Sequence, residues 1–211
     1  MSDVVNTSMI QVFRKISIVI VMVIVIVGLY FGALLPYRKA KAFISSVRLL
    51  QSVKTVGEIE SRFQEVLDIA SPVGRDEIVG FVIEQLTSVL RSGPSAEVGG
   101  IIVDFAERVS RPVLEDPQNP ELTKTILKMG IIYQTAWLLY RDGDYAATAE
   151  ELYLNGLEVS PDRPQFLYGL FDLYLSGGRE KEALEVGKEI ARLWPTDSSV
   201  RQRIQLLEAA Q

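Results

Sequence analysis

The chain has 211 residues, with 22 basic and 27 acidic side chains for a net charge of −5, and it contains neither histidine nor cysteine. That composition excludes a Cys/His zinc site, a cysteine nucleophile, a Ser-His-Asp triad and a disulfide framework, and it argues against nucleic acid as a main partner. A phosphate-binding Gly-rich loop, a dinucleotide fingerprint and a calcium loop are all missing from the sequence, so no cofactor or metal is expected and the chain reads as non-catalytic.

A short tail, residues 1–15, leads into an uncharged stretch of 20 residues, Ile16–Leu35. A helix needs about 20 residues to cross roughly 30 Å of hydrocarbon, and a lone span must be helical because lipid offers its backbone no partners. The competing reading is a cleaved export signal ending at Ala40-Lys41-Ala42. The apolar stretch is too long for that, and Arg38, Lys39 and Lys41 crowd the site. Phe13, Arg14 and Lys15 at one edge and Tyr37, Arg38 and Lys39 at the other suit the two headgroup layers. Arg38, Lys39 and Lys41 are therefore expected at the membrane surface, either attracting anionic lipid or serving as topology determinants alone. The cations that follow the span lean towards a cytoplasmic C-terminal part, against the pull of Arg14 and Lys15. Gly28 and Gly32 form a GxxxG pair that suits homodimerisation through the span, although glycine is also simply common in membrane helices.

The remainder reads as helices. Residues 36–111 carry apolar side chains at helical spacing, such as Phe63, Val66 and Leu67, then Ile78, Val82 and Leu86, and are expected to form degenerate helical hairpins. Residues 112–119 are rich in proline and polar residues and read as a loop, with Asn119 as N-cap and Pro120 at the first helical position. Two hairpins follow over residues 120–195, turning at Arg141–Tyr145 and Ser176–Glu180, and residues 196–211 close the chain with a polar-faced capping helix.

Pro161 and Pro195 lie 34 residues apart, which is the period of the tetratricopeptide repeat. Ala136, Gly143-Asp144-Tyr145, Ala149, Tyr153 and Pro161 in the first unit, and Tyr174, Gly178, Ala183 and Pro195 in the second, resemble that family's small, turn, large and stop positions. Gly187 and Ile190 depart from it, standing where a large aromatic and an alanine are usual, and Phe171 replaces a small residue. The resemblance implies an all-α protein: one transmembrane helix followed by an α-solenoid of helical hairpins. A second resemblance runs over roughly residues 28–195, through "LLPYRKAKAF", "RFQEVLDIASPVGRDEI" and "SPDRPQFLYGLFDLYLSGGREKEAL". These stretches are similar to the repeat-bearing C-terminal tail of bacterial O-antigen ligase and polymerase proteins. The earlier spans and the reactive loop of those proteins are missing, so the resemblance implies a module without glycosyl-transfer chemistry.

In tetratricopeptide proteins the first helix of each unit lines a concave groove, and that resemblance points to the binding candidates. Tyr133, Trp137 and Tyr140 recur at i, i+4 and i+7 on one helix face, with Arg141 at its end, and Tyr168 and Asp172 should project beside them. The same aromatic stripe would also suit packing on the preceding helix. The expected function is a scaffold that holds a protein or peptide partner at the cell membrane. The alternative is an accessory subunit of a cell-envelope glycan polymerase or ligase system of the O-antigen type.

Overall fold

The computed structural model describes residues 2–49, 56–71, 74–161 and 163–209, and all regular structure among them is helical. The chain divides into two compact units, Met1–Arg75 and Asp76–Gln211.

In the first unit α1 (Ser2–Leu29), a π-helical turn (Tyr30–Leu34) and α2 (Leu35–Leu49) follow one another without interruption. Within this run lies a helix long and apolar enough to cross a membrane, and its side chains from Phe13 to Leu34 are exposed. The π turn has a local cause. Pro36 has no N–H, and its ring would collide with the carbonyl four residues back in a regular helix. The preceding turn takes in one extra residue, with the Leu35 N–H bonded to the Tyr30 carbonyl. The helix α3 (Val56–Leu67) packs on α2, where the Phe43 and Phe63 rings lie 6.4 Å apart.

The second unit runs α4 (Arg75–Arg91), α5 (Ala96–Leu114), α6 (Leu122–Tyr140), α7 (Gly143–Val159), α8 (Pro164–Ser176), α9 (Glu180–Leu193) and α10 (Ser198–Ala209). Each helix from α5 to α10 packs on the next, and α6 also packs on α8. Alongside α6 runs α4 in the same direction: Asp76 accepts a 3.0 Å hydrogen bond from Asn119, Glu84 pairs with Lys128 at 2.9 Å, and Pro94, just past the end of α4, receives the Tyr140 hydroxyl. Thus α4 and α5 belong with the later hairpins, although the sequence reading grouped residues 36–111 together.

Two boundaries differ from the sequence reading. The helix α5 continues through Pro112 to Leu114, so the loop expected at 112–119 begins only at Glu115. Val113, 1 % exposed, extends the buried Ile102–Ala106–Val109 stripe, and its burial outweighs a proline placed in the last turn, where only one helical bond is lost. The turn expected over Arg141–Tyr145 is confined to its first two residues. Arg141 takes the left-handed conformation, with φ of 58°, and Asp142 caps α7 by accepting the Asp144 N–H at 3.0 Å, which leaves Gly143 as the first helical residue. Asn119 accepts the N–H of Glu121 at 2.9 Å in the turn that leads into α6, but the helix begins at Leu122 with Glu121 at the N-cap position, so Pro120 lies in the turn and not at the first helical position.

The small and large positions of the two hairpins interlock. Ala136, Ala149, Tyr153 and Ala183 are all fully buried. The Tyr153 ring lies between Gly130 on α6 and Gly169 on α8, and a Cβ on either glycine would run into it. Phe171 and Gly187, which each depart from the repeat pattern, explain one another. A Cβ at Gly187 would stand 2.9 Å from the Phe171 ring, so the large residue on α8 fills the space that the small one on α9 leaves.

Candidate partner-binding groove

The helix α6 has two faces with different neighbours. On one, the Tyr133 hydroxyl donates to the Glu107 carboxylate of α5, and its ring meets Tyr145 of α7 at 6.1 Å. Burial, together with the Glu107 charge, pushes the Tyr133 hydroxyl well above the usual phenol range. Tyr140 donates to the Pro94 carbonyl at 3.1 Å and covers Gly99 at the start of α5, where no side chain would fit. Trp137, 9 % exposed, reaches the α8–α9 turn at Gly177, with the Arg141 guanidinium 5.6 Å from its ring centre. Tyr133, Trp137 and Tyr140 of the expected binding stripe are therefore packing, and Arg141 at its end is exposed over the Trp137 ring. Tyr133 and Tyr140 are held on the preceding helix, and Trp137 is held on the following hairpin.

Opposite that stripe lies a groove of about 770 Å³. Leu127, Ile131, Gln134, Thr135 and Leu138 of α6 line one wall, Gln165, Tyr168 and Asp172 of α8 the other, and Tyr153 and Gly169 also border it. Arg91, at the end of α4, and Leu139 complete the rim on the far side of α6. Leu138 and Leu139 are each 40 % exposed and adjoin one another at the groove, where they make a small contiguous apolar patch. Gln134 is held in place as it accepts the Tyr153 hydroxyl at 2.6 Å, and Thr135 bonds the Ile131 carbonyl at 2.8 Å.

Tyr168 and Asp172 face this groove rather than the Tyr133, Trp137 and Tyr140 stripe beside which the sequence reading placed them, and each has a partner in the chain. The Tyr168 hydroxyl donates to Asp197 at 2.6 Å and its ring packs 6.1 Å from Trp194. Burial and the Asp197 charge push the tyrosine up to about 12. The reciprocal effect holds Asp197 down at about 2, with the Tyr168 hydroxyl as first cause and the Ser199 hydroxyl and the N–H groups of Val200 and Ser199 adding to it. The bond ties the first helix of the second hairpin to the cap of α10. Asp172 is exposed and paired with Arg203 of α10 at 2.8 Å.

The groove's aliphatic wall escaped the sequence reading, yet a signal was present. Leu127, Ile131, Gln134 and Leu138 follow i, i+4, i+7, i+11, a second stripe on a helix whose first stripe already suffices for a core. Around the apolar helix, Gly28 and Gly32 stand in open space, with nothing of the chain within 4 Å of an added Cβ. Arg38 and Lys41 are exposed on α2, but Lys39 is only 2 % exposed, because it falls on the side of α2 that also carries Phe43. Lys39 is thus removed from the set expected to meet lipid. Three or more acidic side chains that could hold a metal ion do not gather anywhere among the described residues.

No protein-family model matches the chain, and no curated protein matches it.

Proposed function

We propose that this chain is a non-catalytic scaffold, anchored by a single membrane span over Ile16–Leu35, that holds a protein or peptide segment in the groove across α4, α6 and α8. The support for a tetratricopeptide-like solenoid is the order of packing, with the first helices α4 and α6 running alike, α6 in turn packed on α8, and return helices between them. Stacked helical hairpins generate an extended concave surface of this kind.

The observation that carries the reading is the exposed aliphatic wall. Leu138 and Leu139 at the groove mouth, beside Gln134, Thr135 and Gln165, combine an apolar floor with polar groups spaced along it. That is the composition of a surface that takes apolar anchors from a peptide and fixes its register by hydrogen bonds. The excess of cations after the span supports a cytoplasmic side for the part that follows it under the positive-inside rule, against the pull of Arg14 and Lys15.

The test is co-purification of the full chain from detergent-solubilised membranes, beside the double variant Leu138→Glu, Leu139→Glu. Partners retained by the natural chain and lost by a folded double variant support the groove. Identical partners on both would reject it. The anchor is tested on the same material, since a spanning helix stays in the membrane through alkaline carbonate and a peripheral chain is released.

A further inference from the structure

The exposed side of α2 is composed differently from its packed side. Tyr37, Arg38, Lys41, Ile44, Ser45 and Arg48 are all exposed, and at helical spacing they fall within about a third of the helix circumference. Phe43 and the buried Lys39 lie on the other side, where Phe43 meets Phe63 of α3. No carboxylate stands on the exposed side, and the side chains of Arg38, Lys41 and Arg48 have no partner among the described residues.

We propose that Arg38 and Lys41, with the Tyr37 ring beside them, bind the phosphate of an anionic phospholipid headgroup where the helix leaves the bilayer, an inference that rests on the membrane reading of Ile16–Leu35. The occupant follows from charge and from continuity with the span. Arg38 and Lys41 stand three and six residues past Leu35, so they lie about 4.5 and 9 Å further along the axis. A headgroup layer is roughly 5–7 Å thick on each side, and both long side chains can reach back into it. Tyr37, 64 % exposed, presents an amphipathic ring at the same level. Arg48 shares the face but stands about 20 Å past Leu35, beyond the layer, which makes it the internal control.

The experiment uses the full-length chain in nanodiscs of phosphatidylcholine with a minor fraction of phosphatidylglycerol, and reads the bound-lipid ratio with spin-labelled forms of the two. Each cation in the layer should favour the anionic lipid by about fivefold at low salt, less at high salt. Arg38→Gln with Lys41→Gln should lower the enrichment by about 25-fold, leaving only the part due to Arg14 and Lys15 in the opposite layer, and Arg48→Gln should change it by less than about twofold. An unchanged enrichment in the double variant overturns the site, as does an equal loss from Arg48→Gln. A chain that remains in carbonate-washed membranes yet shows no preference for phosphatidylglycerol refutes this inference alone. A chain released by carbonate refutes it together with the anchor.

Discussion

On one side of α6, Tyr133 and Trp137 are 7 % and 9 % exposed and each touches a neighbouring helix or turn; on the other, Leu138 and Leu139 are 40 % exposed and border an open groove. Aromatic and cationic side chains often anchor interfaces, but here the fold itself uses them. A large flat ring gains most where it is covered on both faces, and the gaps between successive helices supply that cover. What the packing leaves open is the aliphatic side, where the residues are unremarkable in kind and distinguished by their exposure.

The comparison is sharpest in stability. Trp137→Ala should destabilise the fold by about 3–5 kcal/mol, whereas Leu138→Ala should cost less than about 1 kcal/mol. Urea unfolding of the detergent-solubilised chain, followed by helical circular dichroism, compares the two, and equal losses would erase the distinction between the faces. Next in size is Gly169→Ala, whose new Cβ would lie 2.7 Å from the Tyr153 ring. Overpacking of this kind should cost about 1–3 kcal/mol, and a smaller ring-free residue at position 153 should recover part of it. Full additivity of the two changes would show that Tyr153 does not fill the gap between α6 and α8.

How far these faces were legible in the sequence depends on the residue. Ala136, Ala149, Tyr153 and Ala183 announced the close helix crossings, because small and large residues at fixed offsets leave a periodic trace. The Phe171–Gly187 exchange looked like two faults in that trace; only their adjacency in space shows that they compensate. Trp137 and Tyr133 were ambiguous for the same reason: helical spacing says that they share a face, and the position of the neighbouring helix decides what covers it. Lys39 was misplaced because it differs from Arg38 by about 100° and from Lys41 by about 160° of helix rotation, enough to bring it onto the packed side of α2.

A smaller effect separates the two roles of Tyr168, which lines the groove and also bonds Asp197. The folded-state carboxyl of Asp197 titrates at about 2, below its ordinary 3.8. Its contribution to folding is therefore complete above the ordinary value and disappears as pH falls towards 2. In Tyr168→Phe the ring remains in the groove and the hydroxyl is gone. Carboxyl chemical shifts should then show the Asp197 midpoint rising towards 3.8, with partner binding at neutral pH little changed. An unmoved midpoint would show that the Tyr168 hydroxyl is not what holds the carboxylate, and a lost partner would assign the hydroxyl to the binding surface.

The most direct measurement of the groove is photo-crosslinking of the full-length chain in its own membranes, with a benzophenone side chain placed at Leu138, at Gln165 or, as control, at Leu154. Leu154 is also exposed, at 46 %, but lies on α7 outside the groove. The account predicts one crosslinked partner shared by positions 138 and 165 and not formed from 154. Crosslinks of equal yield from all three positions, or a specific product from 154 alone, would contradict it.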